Sequence, residues 1–311
     1  MKKRILIIGS LNMDMIIEMK RMPAIGETVL GDNLSYIPGG KGANQAYAAG
    51  RLGGDVAMLG CVGDDNMGEK LVCNIAGSGA DASFIMKTEN IPTGTAVIYV
   101  NEKGDNSIVV ISGANNACNV EYLKQNDNLI QESDYVMVQM EIPLETIMYG
   151  IRRAKELNKT VILNPAPAPN PKTLPEDIFE NIDYITPNET ELIMLSGQTK
   201  ISPENIREGA RILLEKGVPN VLVTLGEKGT LYISRQMEAL YPARKVEAVD
   251  TTAAGDCFNG AFVTALSEGK SVKEAVIFAN CASSIAVTRK GAQSSIPDRK
   301  EVEDILKHWQ Q

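Results

Sequence analysis

A run of small residues ending in a carboxylate, DTTAAGD at 250–256, stands directly before a segment of helical period. Small side chains let an anion approach the backbone, and the free N–H groups and dipole of a helix's first turn favour negative charge. Asp256 stands beside that anion, where it can take a proton from an attacking hydroxyl. The alternative is that Asp256 only complements the helix dipole. The run therefore predicts a helix start that carries a candidate anion site and a candidate base.

The residues and motifs that the sequence lacks exclude several kinds of catalytic and nucleotide-binding site. The only histidine is His308, in a polar C-terminal tail, so a general base must be Asp, Glu, Lys or Cys. No Gly-x-x-x-x-Gly-Lys-Ser/Thr run occurs and no Gly-x-Gly-x-x-Gly follows the first apolar run, which excludes a P-loop and a dinucleotide fingerprint. Cys257, next to Asp256, is a candidate reactive thiol only if it escapes burial, because burial suppresses thiolate formation.

Composition bounds the class of protein and its partners. The 311 residues, 44% of them hydrophobic, can bury a large core, and the formal charge of −8 argues against nucleic acid or an anionic membrane as partner. No run reaches the ~18 apolar residues of a membrane span. The basic N-terminus precedes too short an apolar run for a signal peptide. We expect a cytoplasmic protein whose partners are small molecules.

Apolar runs that resemble buried strands alternate with segments of helical period, which predicts an α/β fold with a mostly parallel central sheet flanked by helices on both faces. The predicted strands are 5–9, 56–59, 135–140, 160–163, 184–186 and 220–225. The predicted helices are 43–52, 67–78, 144–157, 189–195, 203–216, 254–268, 272–287 and 300–308.

Four β-rich runs lack intervening helices and predict a small antiparallel sheet inserted in the α/β core. They are 15–19, 28–37, 95–100 and 107–111, within the inserted segments 14–39 and 94–112. Such a sheet can act as a lid that excludes water from a site. The alternative is an edge extension of the core sheet. In either case we expect one domain over residues 1–311.

Polar residues follow several predicted strands, where open parallel sheets bind ligands. Asn12 and Asp14 follow the first strand and, in extended backbone, turn towards the same ligand. Glu141 ends the third strand. The runs NPAPA at 164–168 and TPNETE at 186–191 end the next two strands. Asx residues are also common turn formers and helix caps, which is the simpler interpretation of each one alone.

Together these runs resemble the ribokinase-like (PfkB) carbohydrate kinases over essentially the whole chain. The two signature regions are GGKGANQA at 39–46 and the run at 250–256, and VTRKGAQ at 287–293 adds to the likeness. The resemblance implies a ribokinase-like fold and transfer of the γ-phosphoryl group of ATP to the 5-hydroxyl of D-ribose.

The resemblance also implies roles for individual residues. Asp256 would be the base, and the backbone N–H groups of 253–256 would form an anion hole for the transferred phosphoryl group. The catalytic set is Ala253, Ala254, Gly255 and Asp256. The sugar site would comprise Asn12, Asp14, Gly40, Lys41, Asn44, Glu141 and Asp256, whose donors and acceptors suit a polyhydroxylated ring. Lys41 as a solvated loop charge and Asn44 as a helix-start residue are the alternatives.

For ATP the family implies contacts from Asn188, Thr224, Gly226, Lys228, Gly229, Gly255 and Asn280. Asn280 departs from the family pattern, which often has histidine near the adenine. Asn188 and Glu191 would position Mg²⁺, largely through water, since that ion prefers oxygen ligands. A solvated glutamate at a helix start is the alternative for Glu191.

A monovalent cation beside the anion hole is the third implied ligand, and we expect activation by K⁺. The matching positions are Asp250, Thr252, Ala286, Arg289, Gly291 and Ser295. Most would contribute backbone carbonyls, so Thr252 is compatible although the family often has an aliphatic residue there. The family further implies a homodimer formed through the lid, because the exposed edges and apolar face of such a sheet favour a partner.

The substrate and the chemistry retain alternatives. Within the family these are 2-deoxyribokinase, fructokinase and nucleoside kinase activities. Asn12 favours ribose, because a deoxy sugar would leave its amide without a hydroxyl partner. Outside the enzymes, a sugar or nucleotide sensor that kept the fold and lost the chemistry is the alternative.

Overall fold

The computed structural model describes residues 2–309 and has two sheets, one large and one small. The strands are β1 (Arg4–Ile8), β2 (Asn12–Met19), β3 (Asn33–Gly39), β4 (Asp55–Gly63), β5 (Ile85–Thr88), β6 (Gly94–Asn101), β7 (Asn106–Ile111), β8 (Tyr135–Val138), β9 (Thr160–Leu163), β10 (Tyr184–Ile185), β11 (Asn220–Thr224), β12 (Thr230–Ser234) and β13 (Glu238–Tyr241). The helices are α1 (Lys41–Arg51), α2 (Asn66–Gly77), α3 (Val120–Gln125), α4 (Asp127–Glu132), α5 (Leu144–Glu156), α6 (Glu189–Ser196), α7 (Pro203–Glu215), α8 (Ala254–Ser267), α9 (Val272–Ala286) and α10 (Arg299–Leu306).

The large sheet has the order β13-β12-β11-β10-β9-β8-β1-β4-β5, and its strands are parallel from β5 to β11. Each predicted core strand and each predicted helix is present, which confirms the α/β expectation. The antiparallel pair β12 and β13 at one edge was not predicted, nor were β5 and the short helices α3 and α4.

Strand β1 illustrates why the sheet is buried on both faces. Ile5 and Ile7 pack into one hydrophobic cluster, whereas Leu6 and Ile8 pack into the other, because successive side chains of a strand point to opposite faces. All four side chains are fully buried. Burial of such a side chain contributes roughly 1.5–3 kcal/mol, so an apolar run without polar alternation is stable only between two layers of helices.

Capping residues in the sequence explain where several of the outer helices begin. Asp65 accepts a hydrogen bond from the backbone of Gly68 and caps α2. Helices α6, α9 and α10 each begin with a reciprocal capping box, an arrangement that satisfies two otherwise unpaired backbone donors. No described helix is long and apolar enough to cross a membrane.

The small sheet has the order β3-β2-β6-β7. Its outer pairs are antiparallel, as expected, whereas the central pair of β2 and β6 is parallel. Strand β2 follows β1 and strand β6 follows β5. Because β1 and β5 are parallel, both chains leave the large sheet at the carboxyl ends of its strands. Strand β2 begins at Asn12, three residues earlier than predicted. Residues 28–32 were predicted as strand but precede β3, which begins at Asn33.

Candidate functional site

A cavity of about 210 Å³ opens at the carboxyl edge of the large sheet, beside the start of α8. Its lining combines backbone of the small-residue run with polar side chains that follow three strands: Lys41, Asn164, Ala166, Thr186, Asn188, Glu191, Thr224, Thr251, Ala253, Ala254, Gly255, Asp256 and Asn259. The structure therefore brings residues distant in sequence to one edge of the sheet, as the topology of parallel strands requires.

The start of α8 exposes backbone to this cavity. Ala253, the N-cap, has φ of 56°, and no side chain of the described residues accepts a hydrogen bond in that cap. The N–H of Ala254 donates to the carbonyl of Thr251 at 3.2 Å. A Cβ added to Gly255 would meet no atom within 4 Å, so the backbone there faces open space. Uncapped first-turn N–H groups and the helix dipole form a site suited to an anion.

Asp256 lies in the first turn of α8 and is 6% exposed. Each of its carboxylate oxygens accepts a hydrogen bond of 2.9 Å from a neighbouring amide on α1: Asn44 Nδ2 donates to Oδ2 and Gln45 Nε2 to Oδ1. The two hydrogen bonds hold both carboxylate oxygens in place. The arrangement supplies a fixed carboxylate beside an anion site, which goes beyond complementing a helix dipole.

The predicted sugar-site residues form a charged cluster around Lys41. Burial and the charges of Glu141 and Asp256 raise the pKa of Asp14 to about 7, while Lys41 acts in the opposite direction. Burial acts to lower the pKa of Lys41, but four carboxylates, led by Asp256 and Glu141, raise it. Lys41 is therefore a half-buried cation held among carboxylates, and the alternative of a solvated loop charge is wrong.

Glu141 supports the start of α1 from beneath. Its Oε2 accepts hydrogen bonds from the Ser10 hydroxyl at 2.6 Å and from the backbone N–H of Lys41 at 3.0 Å. Gly40 has φ of 88°, and a Cβ there would lie 2.7 Å from the backbone nitrogen of Asn12. Glycine is thus required where α1 meets the chain between β1 and β2.

Asn12 and Asp14 lie at the start of β2, at the junction of the two sheets. Asn12 is 3% exposed and its Oδ1 accepts a hydrogen bond of 2.7 Å from Asn115 Nδ2. Gly39 and Gly94 have no room for a Cβ, because the carboxylate of Asp14 and the amide of Asn12 lie against them. The predicted pair is therefore close-packed where the small sheet joins the core.

The predicted nucleotide contacts divide into two groups. Thr224 and Asn188 are joined by an isolated bridge at the cavity wall. Gly226 and Lys228 are exposed in the turn that follows β11, whereas Gly229, which ends that turn, is buried. Gly226 and Gly229 have φ of 57° and 97°, which explains glycine at both positions.

Asn280 differs from the other predicted nucleotide contacts because it is 4% exposed. Its Oδ1 accepts a hydrogen bond from Thr230 and its Nδ2 donates to the carbonyl of Tyr241 at 3.0 Å. These bonds join α9 to the edge strands β12 and β13. A contact between this amide and adenine stays a prediction, and the bonds weigh against it.

Asn188 and Glu191 form the capping box of α6. Asn188 Oδ1 accepts from the N–H of Glu191 at 2.8 Å, and Glu191 Oε2 accepts from the N–H of Asn188 at 2.9 Å. Burial is the main cause that raises the pKa of Glu191. Both side chains line the cavity and carry oxygen atoms, the type of ligand atom that Mg²⁺ prefers.

The predicted cation residues lie on two adjoining segments next to the anion site. Asp250 connects them: its Oδ1 accepts from the N–H and hydroxyl of Thr252, and its Oδ2 accepts from the N–H of Gly291 at 2.8 Å. Burial opposes these hydrogen bonds, which together lower the pKa of Asp250. Ala286 and Ser295, near the two ends of the second segment, are both buried. Arg289, between them, forms an ion pair with Glu301.

Five amide residues of the site were missed by sequence reasoning: Gln45, Asn115, Gln139, Asn259 and Gln293. Gln293 Nε2 donates to Asn44 Oδ1 at 3.0 Å, and Gln139 Nε2 donates to Gln45 Oε1 at 2.7 Å. Gln45 stands in the first signature run, which was a usable signal. Gln293 stands in the run 287–293, Gln139 in the predicted strand before Glu141, and Asn259 three residues after Asp256 on α8. Asn115, by contrast, reaches the site from a segment that no local pattern connects to it. Cys257 is fully buried and burial raises the pKa of its thiol, so it is not a reactive cysteine.

A sheet covered on both faces, an uncapped helix start and a buried carboxylate beside it are the features of an α/β enzyme that acts on an anionic ligand. Residues 2–299 match the pfkB family of carbohydrate kinases, and the chain belongs to that family.

Individual relatives agree with this assignment. A ribokinase of Haemophilus influenzae is 41% identical over 99% of this chain and 100% of its own length. A deoxyribokinase of Salmonella typhi is 37% identical over 97% of this chain and 98% of its own. The structure of an Arabidopsis thaliana ribokinase complexed with ribose and ATP superimposes with a TM-score of 0.92 at 33% identity, over 99% of both chains.

Proposed function

We propose that this chain transfers the γ-phosphoryl group of ATP to the 5-hydroxyl of D-ribose, giving D-ribose 5-phosphate and ADP. The observation that carries the proposal is the buried Asp256 beside the uncapped start of α8, with each carboxylate oxygen held by one amide. This combination provides the two things that phosphoryl transfer to an alcohol needs, a base for the hydroxyl and donors for the phosphoryl oxygens.

In the proposed mechanism, Asp256 accepts the proton of the 5-hydroxyl as that oxygen attacks the γ-phosphorus. The bond between the γ-phosphorus and the bridging oxygen breaks, and ADP leaves. Backbone N–H groups of 253–256 stabilise the charge on the transferred group. Lys41, whose pKa is raised by surrounding carboxylates, remains cationic and supplies further positive charge at the cavity wall. General-base catalysis contributes about 10²–10⁴-fold.

Recognition of the sugar rests on the cluster at the junction of the two sheets. Asp14 and Glu141 provide acceptors for hydroxyl protons, and Asn12, Lys41 and Asn44 provide donors. A ring lacking the 2-hydroxyl leaves one of these buried groups without a partner, which is costly. We infer that ribose is preferred to 2-deoxyribose.

For the nucleotide, we propose contacts from the turn after β11 and from Asn188, Thr224 and Gly255. Glu191 and Asn188 would hold Mg²⁺ largely through water, and their oxygen donors at the cavity wall fit that ion. Bound there, Mg²⁺ supplies charge neutralisation for the β- and γ-phosphates.

A K⁺ ion is proposed beside the anion hole, held mainly by backbone carbonyls of Asp250, Thr252, Ala286, Arg289, Gly291 and Ser295. The hydrogen bonds of Asp250 to Thr252 and Gly291 support this, because they hold the two segments together with an ionised carboxylate between them. Turnover in KCl is expected to exceed turnover in tetramethylammonium chloride, and equal rates in the two salts would contradict the cation site.

We propose that the small sheet, formed from 14–39 and 94–112, acts as a lid and joins two copies in a homodimer. Its support is apolar surface on one face of the sheet: Leu34, Tyr36, Val109 and Ile111 are each about half exposed, at 49%, 48%, 55% and 49%. Patches of this kind are usually covered by a partner. Light scattering that gives a monomer mass at working concentration would contradict the dimer.

The experiment is coupled ADP release with Mg-ATP and K⁺ across D-ribose, 2-deoxyribose, fructose and adenosine. Selective turnover of ribose is the expected result. Faster turnover of another acceptor would keep the mechanism and replace the substrate, and binding without turnover would favour a sensor. Because the proposed reaction consumes ATP, we propose the cytoplasm as its location.

A further inference from the structure

Gln45 contacts the proposed base but does not line the cavity. It is fully buried on α1, and its Nε2 donates to Asp256 Oδ1 at 2.9 Å and to Asn164 Oδ1 at 3.0 Å. Its Oε1 accepts from Gln139 Nε2 at 2.7 Å. Gln45 is therefore a three-way connection between the base and the ends of two strands, β8 and β9.

The orientation of these amides is fixed from one end. The carbonyl of Thr186 can only accept, and Asn164 Nδ2 donates to it at 3.1 Å. Asn164 must then present Oδ1 to Gln45, so Gln45 must present Nε2 to both Asn164 and Asp256. The remaining Oε1 of Gln45 accepts from Gln139. A backbone carbonyl thus determines which atom of the Gln45 amide faces the base.

Gly9, directly after β1, leaves room for this chain of amides because it has no side chain. A Cβ on Gly9 would overlap Gln139 Oε1, which is buried and has no hydrogen-bond partner among the described residues. Because Gln45 Oε1 can only accept, Gln139 must present Nε2 to it, and Gln139 Oε1 is left beside Gly9.

We propose that Gln45 is a positioning residue for phosphoryl transfer, which holds the Asp256 carboxylate in a single orientation through Oδ1. Amide groups suit this role because they donate to a carboxylate but do not take its proton at neutral pH. The proton removed from the acceptor hydroxyl thus stays on Asp256 and does not pass into the core. This inference rests on the proposed function of Asp256.

Two variants test the inference. Gln45→Met keeps the length of the side chain and removes the donor, whereas Gln45→Glu keeps the shape and replaces the donor by a titratable carboxyl. Thr264→Val is the matched control, because it removes a buried hydroxyl that bonds Gly260 on the same helix as Asp256 but away from the site. Steady-state kinetics against ribose and ATP, melting temperature and the pH profile of kcat are measured for each.

For Gln45→Met we expect kcat to fall roughly ten- to hundred-fold, in line with loss of one hydrogen bond to a charged group. KM for both substrates should stay within about two-fold, because Gln45 does not line the cavity. Gln45→Glu should lose activity as pH rises above neutrality, since the introduced carboxyl donates to Asp256 when protonated and repels it when ionised. The wild type and Thr264→Val should show no such alkaline loss.

A purely structural role would give a different pattern. The inference is overturned if Gln45→Met lowers the melting temperature but keeps kcat within about two-fold for the folded enzyme, or if the Gln45→Glu profile parallels the wild type. Should Gln45→Met not fold, the pH profile of Gln45→Glu decides alone. Asp256→Ala distinguishes failure of the proposed base from failure of the role of Gln45. If Asp256→Ala remains active, the proposed base is wrong. If it is inactive while both Gln45 variants have normal activity, only the role of Gln45 is wrong.

Discussion

Asn115 fixes the amide of Asn12 through a hydrogen bond of 2.7 Å from its Nδ2 to Asn12 Oδ1. Asn115 is itself held by the backbone of Leu11, whose N–H donates to Asn115 Oδ1 at 2.9 Å and whose carbonyl accepts from Nδ2. With Oδ1 occupied, the NH₂ group of Asn12 is the part of the amide left for the proposed sugar contact. In the proposed sugar site, the orientation of Asn12 therefore depends on a residue that lies more than a hundred positions away in the sequence.

Asn115→Asp is expected to weaken sugar binding. The substitution replaces the donor by a carboxylate oxygen, which repels Asn12 Oδ1 and turns the amide over. We predict that KM for D-ribose rises about ten-fold or more, the scale of one lost hydrogen bond to a buried group. KM for ATP should be unchanged. KM for 2-deoxyribose should rise less, so the ratio of kcat/KM between the two sugars should narrow. Asn119→Asp, which keeps a helix cap, is the control.

Gly255→Ala is expected to separate folding from catalysis. The added methyl group meets no atom within 4 Å, so the variant should fold with an unchanged or slightly higher melting temperature. The same methyl projects into the space proposed for the phosphoryl group, and kcat should fall by about 10² or more, comparable with the loss of one anion-hole donor. Gly77→Ala on α2, where a Cβ also meets nothing, should leave kcat unchanged. Full activity of Gly255→Ala would contradict the anion hole.

The raised pKa of Asp14, about 7, predicts a pH dependence of sugar binding. Only the ionised carboxylate is a full acceptor for hydroxyl protons, so KM for ribose should rise as pH falls through about 7. Asp14→Asn should remove this dependence and raise KM at pH 8. A ribose KM that is flat between pH 6 and 8 in the wild type would contradict the assignment.

The same group predicts an effect on stability. Because burial raises its folded-state pKa, ionised Asp14 opposes folding, so its contribution is most favourable below the unfolded pKa and is lost as pH rises through the folded value. Asp14→Asn should therefore raise the melting temperature of the ligand-free protein at pH 8 and leave it nearly unchanged at pH 4. Calorimetry at the two pH values measures the difference. An equal shift at both would assign the effect to packing.

Local sequence determined most of the core. Buried strands such as β1, with four consecutive apolar residues, and helices with capping boxes such as α9 could be predicted because their signals lie within a few residues. The edge strands β12 and β13 were missed because the turn between β11 and β12 was interpreted only as a ligand contact. Helices α3 and α4 are six residues each, too short for a clear period.

The site could be predicted in part. Asp256, the glycines and the polar residues after strands follow from motif and topology, because parallel strands bring their carboxyl ends to one edge. Asn44 and Gln45, which hold Asp256, stand in the first signature run. Asn115, which orients Asn12, could not be predicted, since it reaches the site from a segment that no periodicity connects to it. The parallel pairing of β2 with β6 was likewise missed, because it follows from where both strands leave the core.

The most direct test of the account is ADP release by Asp256→Ala with D-ribose, Mg-ATP and K⁺, alongside calorimetric binding of ribose and of ATP. We predict that kcat falls by at least about 10², the lower end of a general base's contribution, while the variant still binds ATP. Turnover within a few-fold of the wild type would contradict the central claim that Asp256 is the base.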